Sequence, residues 1–158
     1  MILTGVSILV VALDQFTKFL VLESIQLNQS VPLWPNYFYF TYIQNRGTAF
    51  GFMSDMDTDI RIPLFVVISI TTAFIVYSYQ KAIREENLMS QIALGLVWGG
   101  ALGNLVDRVL YGKVIDFIDI RYDDVRWLVF NAADFFVTIG ILYLFFKFMI
   151  KRNQKKLA

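Results

Sequence analysis

Apolar residues along this chain gather into four runs, at about residues 2–22, 62–79, 88–110 and 133–150, separated by polar or aromatic segments. Each run approaches the ~20 residues a helix needs to cross a ~30 Å hydrocarbon core. The pattern predicts a mainly α membrane protein: a single integral domain over residues 1–158 with four transmembrane helices. The second run carries no internal charge and reads as scaffold. Residues 23–60 are too long for a plain connector and should have structure of their own. Pro32, Trp34 and Pro35 break any helix there, and the aromatic and β-branched stretch Tyr37–Ile43 reads as strand. Tyrosine and tryptophan also suit the headgroup layer. A small extracytoplasmic β-sheet segment on the membrane surface is therefore expected, followed by the turn-prone stretch Asn45–Gly51. Residues 111–130 read as a second outward loop.

Composition strengthens this picture. The chain is 57% apolar and 17% charged, with a mean hydropathy of +0.57, against about 25% charged residues in soluble domains. The first run lacks a basic leader and a small-residue cleavage pattern, and it carries Asp14 and Lys18. It is expected to stay in the mature protein as a helix. The net charge of +1 gives no reason to expect a nucleic-acid partner, but the distribution of charge is informative. The loops after the first and third runs hold Arg46, Lys113, Arg121 and Arg126, whereas the opposite side crowds Lys81, Arg84, Lys147, Lys151, Arg152, Lys155 and Lys156 into short segments. The positive-inside rule then places both termini in the cytoplasm. Cysteine and histidine are both absent. That excludes a thiol nucleophile, a disulfide, a histidine-assisted serine triad and an ordinary zinc site. No metal or other cofactor is expected, and any catalysis must draw on carboxylates, lysine, serine or bound ions.

Against this background, Asp14, Lys18, Asn104, Asp107, Arg108 and Asp134 stand out, because they sit in or at the ends of the apolar runs. An ionisable group near the bilayer centre costs about 2.5–3.5 kcal/mol on insertion scales, so such residues need partners, water or a function. Asp14 and Lys18 share a helix face at i,i+4, and the bland reading is a self-neutralising pair. Asn104, Asp107 and Arg108 form one polar face. On the same run Gly95, Gly99, Gly100, Ala101 and Gly103 make a small-residue surface that lets another helix approach closely. Asp116 lies among Val114, Ile115, Phe117 and Ile118, surroundings that raise a carboxyl pKa. Asp119, Arg121, Asp123, Asp124 and Arg126 read instead as solvated loop charges. Asn131 and Asp134 fit an N-cap and a first-turn acid, which explains them structurally without forbidding catalysis.

The four-pass layout brings Asp14, Asp107 and Asp134 to one level near the outer interface, with Asp116 one loop length away. Carboxylates gathered without histidine or cysteine suit a two-aspartate site that splits an amide with water. Three other readings stand beside it. An ion-coupled transporter would need polar residues through the whole membrane, and the inner halves of the runs offer almost none. A serine–lysine peptidase built on Lys18 lacks an obvious serine beside it. A structural protein could use the charges only to set helix registry.

Five segments in order resemble the lipoprotein signal peptidases, the signal peptidase II family of bacterial membrane aspartic peptidases. They are Asp14-Gln15-Phe16-Thr17-Lys18, Asn45 to Gly51, Gly99 to Arg108, Gly112 to Phe117, and Phe130 to Asp134. Val129 departs from the proline-containing approach of many relatives. The resemblance implies that Asp116 and Asp134 are the catalytic pair. It also implies that Asp14, Lys18, Asn45, Gly47, Asn104, Asp107, Arg108 and Asn131 hold the site or contact substrate and lipid. The implied partners are a prolipoprotein cleaved before its diacylglyceryl-modified cysteine, and membrane lipid. A monomer in the bacterial inner membrane is expected, with its site near the outer leaflet.

Overall fold

The computed structural model of the chain describes residues 1–46, 87–123 and 125–157, with Ile60, Pro63, Leu64, Val67, Ile68, Thr71 and Ser78. Gly47, Asp124 and most of the second apolar run lie outside the described residues. The elements run α1 (Ile2–Ser24), β1 (Ser30–Trp34), β2 (Phe38–Asn45), α2 (Leu88–Tyr111), β3 (Val114–Tyr122), β4 (Val125–Phe130) and α3 (Ala132–Leu157). Among the described residues three helices, α1, α2 and α3, are long and apolar enough to cross a membrane. The protein is thus mainly helical with a small antiparallel sheet, and three of the four expected spans are seen. The last helix continues beyond residue 150, because the lysine, arginine and glutamine residues there favour helix and no glycine or proline stops it.

Local chemistry explains where α2 begins and ends. The Asn87 side chain accepts the Met89 N–H at 3.1 Å, a side-chain cap on an otherwise open helix end. At the other end Gly112 adopts φ 66° and donates its N–H to the Arg108 carbonyl at 3.0 Å, a left-handed stop that glycine takes without penalty. The chain can therefore reverse at once into β3, which brings Asp116 back beside the end of α2.

The sheet is an antiparallel meander in the order β1-β2-β3-β4. The segment expected as the loop 111–130 thus supplies two of its four strands. Its β-branched and aromatic residues suit strand, but the acids at 116 and 119 interrupt the apolar pattern and hide it. Asp119, expected as a solvated charge, is fully buried. Pairing of the strands surrounds it with Arg121 at 2.6 Å, Arg126 at 3.2 Å and the Thr41 hydroxyl at 2.8 Å. Burial pushes its carboxyl upward, but Arg121, Thr41 and Arg126 outweigh burial and hold it below the usual range.

In the bundle, α2 packs along both α1 and α3. Lipid tails are as apolar as leucine, so close contact between helices matters more here than transfer from water. A Cβ at Gly103 would come within 2.5 Å of the Asp14 carboxylate, and one at Gly100 within 2.5 Å of the Ala133 carbonyl oxygen. The small-residue surface of α2 is therefore filled by the chain's own helices and is not left open for a substrate helix. The end of α1 carries the sheet through a buried cluster of Val21, Tyr42, Ile115 and Phe117.

Candidate active site

Lys18 is the centre of a buried charge cluster at 1% exposure, with Asp14 and Asp107 fully enclosed. Its Nζ lies 2.7 Å from Asp14 Oδ2 and 2.9 Å from Asp107 Oδ2, and it donates to Asn104 Oδ1 at 3.2 Å. Three acceptors match the three N–H donors of an ammonium group. Gln15 adds a clamp, donating through Nε2 to Asp107 Oδ1 at 2.9 Å and to Asp14 Oδ2 and the Gly103 carbonyl, each at 3.2 Å.

Both acids of this cluster also reach main chain. Asp107 Oδ2 accepts the Ile115 N–H at 3.0 Å, and Asp14 Oδ1 accepts the Ala133 N–H at 2.9 Å. Ile115 directly precedes Asp116, and Ala133 directly precedes Asp134. One lysine thus couples the backbone positions of two further acids that come from a strand and a helix.

Asn131 joins those two acids from the side. Its Nδ2 donates to Asp116 Oδ1 at 2.7 Å and to Asn104 Oδ1 at 3.0 Å, while its Oδ1 accepts the Asp134 N–H at 3.0 Å. Asp134 Oδ2 accepts the Asn131 N–H in return at 3.3 Å. This reciprocal capping box starts α3 and fixes the first-turn acid beside the strand acid. Asn104 Nδ2 donates to Asp134 Oδ1 at 2.8 Å, and Asn45 Nδ2 to Asp116 Oδ2 at 2.8 Å. Arg108 donates to the Asn104 carbonyl at 3.2 Å and interacts electrostatically with Asp134, Asp116 and Asp107.

Asp116 and Asp134 line one cavity of about 420 Å³, with Asn45, Asn104, Arg108 and Thr138 as its other polar walls and Ile120, Leu128, Phe130 and Val137 among its apolar ones. Burial, and then the neighbouring Asp134, push the Asp116 carboxyl up to about 7. The amide donors of Asn45 and Asn131 favour its ionised form, but burial outweighs them. The site can therefore hold a proton on one acid near neutral pH while the other accepts hydrogen bonds, the arrangement that acid–base hydrolysis needs.

A family profile described as Signal peptidase (SPase) II matches residues 6–150. The chain belongs to this family. It is accordingly an aspartic peptidase, and with its apolar helices a protein of the bacterial inner membrane. The chain is 40% identical to the lipoprotein signal peptidase of Syntrophus aciditrophicus, over 93% of this chain and 91% of that one. It is 34% identical to the lipoprotein signal peptidase of Bacillus subtilis, over 96% and 95%. A bacterial membrane enzyme solved by the in meso method at 2.3 Å superposes with a TM-score of 0.83 at 30% identity, over 95% of this chain and 88% of that chain.

Nine of the ten site residues expected from sequence come together in the network above; Gly47, the tenth, lies outside the described residues. Sequence reasoning gave no role to Gln15 or to the main-chain N–H groups of Ile115 and Ala133. Gln15 had a signal, its place beside Asp14 on a polar stretch of an apolar helix. Main-chain donors leave none.

Proposed function

We propose that the chain removes signal peptides from diacylglyceryl-modified prolipoproteins, cleaving before the lipidated cysteine with Asp116 and Asp134 as the catalytic pair. The observation that carries this reading is that the two carboxyls share one cavity and one bridging residue, Asn131. In this reading Asp116 carries the proton of the pair, and Asp134 takes a proton from water. The resulting hydroxide adds to the scissile carbonyl. Protonated Asp116 donates a hydrogen bond to the carbonyl oxygen, and as the tetrahedral intermediate collapses it passes its proton to the leaving nitrogen while the C–N bond breaks, which leaves the proton taken from water on Asp134. No acyl-enzyme forms. Acid and base assistance of this kind typically gives about 10²- to 10⁴-fold.

The membrane supplies part of the positioning, because signal helix and acyl chains partition beside the enzyme. In this reading both termini are cytoplasmic, the cavity lies near the outer leaflet, the sheet cradles the lipid-modified residue, and the enzyme works as a monomer. The test is to change Asp116→Asn and Asp134→Asn separately and follow cleavage of a diacylglyceryl-modified precursor. Both variants should insert normally and leave it uncut; near-normal turnover by either one rules out the two-acid mechanism.

A further inference from the structure

Asp119 draws side chains from three strands to one carboxylate. Its Oδ2 accepts from Thr41 Oγ1 of β2 at 2.8 Å, from Arg121 Nη2 of β3 at 2.6 Å and from Arg126 Nε of β4 at 3.2 Å. Ser30 Oγ of β1 accepts from Arg121 Nη2 at 2.7 Å and lies in hydrogen-bond contact with Thr41 Oγ1 at 2.8 Å, which closes the cluster. Arg121 also lies over the Tyr39 ring, 4.1 Å from its centroid.

The strand ladder around this cluster is interrupted on both sides. Pairing of β2 with β3 shifts between Phe40 and Ile43, opposite the stretch between Asp116 and Ile118, and pairing of β3 with β4 shifts between Ile120 and Arg121. Between these irregularities residues 118–120 pair with both neighbouring strands, and the side chains that converge on Asp119 add contacts across the same stretch. A slip of one residue would turn Asp116 to the other face of the sheet. A slip of two would carry it roughly 7 Å along the strand. The Asp107 contact to the Ile115 N–H holds β3 to α2, but not to its neighbours in the sheet.

We infer that Asp119 is a positioning residue: its ion cluster locks the register of β3 against β2 and β4 and so presents Asp116 to the cavity. A single buried polar group that fixes register is a well-attested use of such a group. Arg121 travels with Asp119 on β3, but Thr41 on β2 and Arg126 on β4 reach the acid from the neighbouring strands, so a slipped register would strip the buried carboxylate of those two partners.

This inference rests on Asp116 being catalytic, and its test reads register separately from chemistry. The chain contains no cysteine, so introduced pairs report strand pairing without background. Phe38 and Ile120 are paired in the native register, and paired strand positions lie at a separation a disulfide can span. In the full-length protein in membranes, Phe38→Cys with Ile120→Cys should cross-link, and Phe38→Cys with Ile118→Cys should not. Adding Asp119→Asn should lower the first yield and raise the second. Without introduced cysteines, Asp119→Asn should lower kcat by about 10²-fold, as expected for a displacement of this kind, with little change in KM. Should Asp119→Asn fail to accumulate, Arg126→Gln reads the same quantities, with smaller changes in the same direction. Native cross-linking with turnover within twofold of wild type in the accumulating variant overturns the inference, as does a changed register that leaves turnover intact. Asp116→Asn should keep native cross-linking while losing cleavage; cleavage by that variant defeats the catalytic assignment instead.

Discussion

Asp14 accepts the main-chain N–H of Ala133 at 2.9 Å and thereby ties the first helix to the residue beside Asp134. The matching contact from Asp107 to Ile115 does the same for Asp116. Lys18 lies between the two acids, so the spacing of the candidate pair is set by a cluster that need not touch substrate.

Lys18→Met should therefore harm both fold and activity. It leaves Asp14 and Asp107 buried without their cation, and breaking a buried pair in this way typically costs about 3–5 kcal/mol. Denaturant unfolding in detergent should show a loss of that order, and cleavage should be abolished. Stability within about 1 kcal/mol of wild type would mean that the acids find other partners.

The proton on Asp116 predicts a basic limb in the pH profile. A carboxyl raised to about 7 is protonated below that pH and ionised above it, so kcat/KM should decline as pH rises through about 7. Stability should follow the same sign. The folded protein binds the extra proton between the ordinary value of 3.8 and about 7, so stability should fall across that window as pH rises, and Asp116→Asn should flatten this dependence.

Asn131→Ala should separate capping from chemistry. Loss of the cap alone costs about 0.5–2 kcal/mol. The same change removes the donor that joins Asp116 to Asn104, so turnover at temperatures well below unfolding should fall by an order of magnitude or more. An unchanged kcat in a merely less stable variant would reduce Asn131 to a cap.

Gly103→Ala should destabilise by about 1–3 kcal/mol through overpacking against Asp14, measured by thermal unfolding. Asp123→Asn provides the contrast. Asp123 is exposed and holds φ 50° in the turn between β3 and β4, a conformation asparagine tolerates, so turnover should stay within twofold.

The helices were legible because run length and hydropathy report a membrane span directly, and the site acids because charge within such runs is costly. The strands of residues 114–130 were concealed because Asp116 and Asp119 are both buried, where a strand pattern leads one to expect apolar residues. Asp119 read as a loop charge because its arginine partners meet it only once the strands pair. The anchoring of Ile115 and Ala133 was invisible for a different reason: a main-chain N–H is present at every residue except proline.

That anonymity shapes how the enzyme can change. Almost any substitution at residues 115 and 133 that still fits the packing preserves the two amide anchors, and proline alone deletes them. At these two positions the spacing of the acids is insulated from drift, whereas a change at an apolar wall such as Leu128, Phe130 or Val137 reshapes the cavity and leaves both anchors in place.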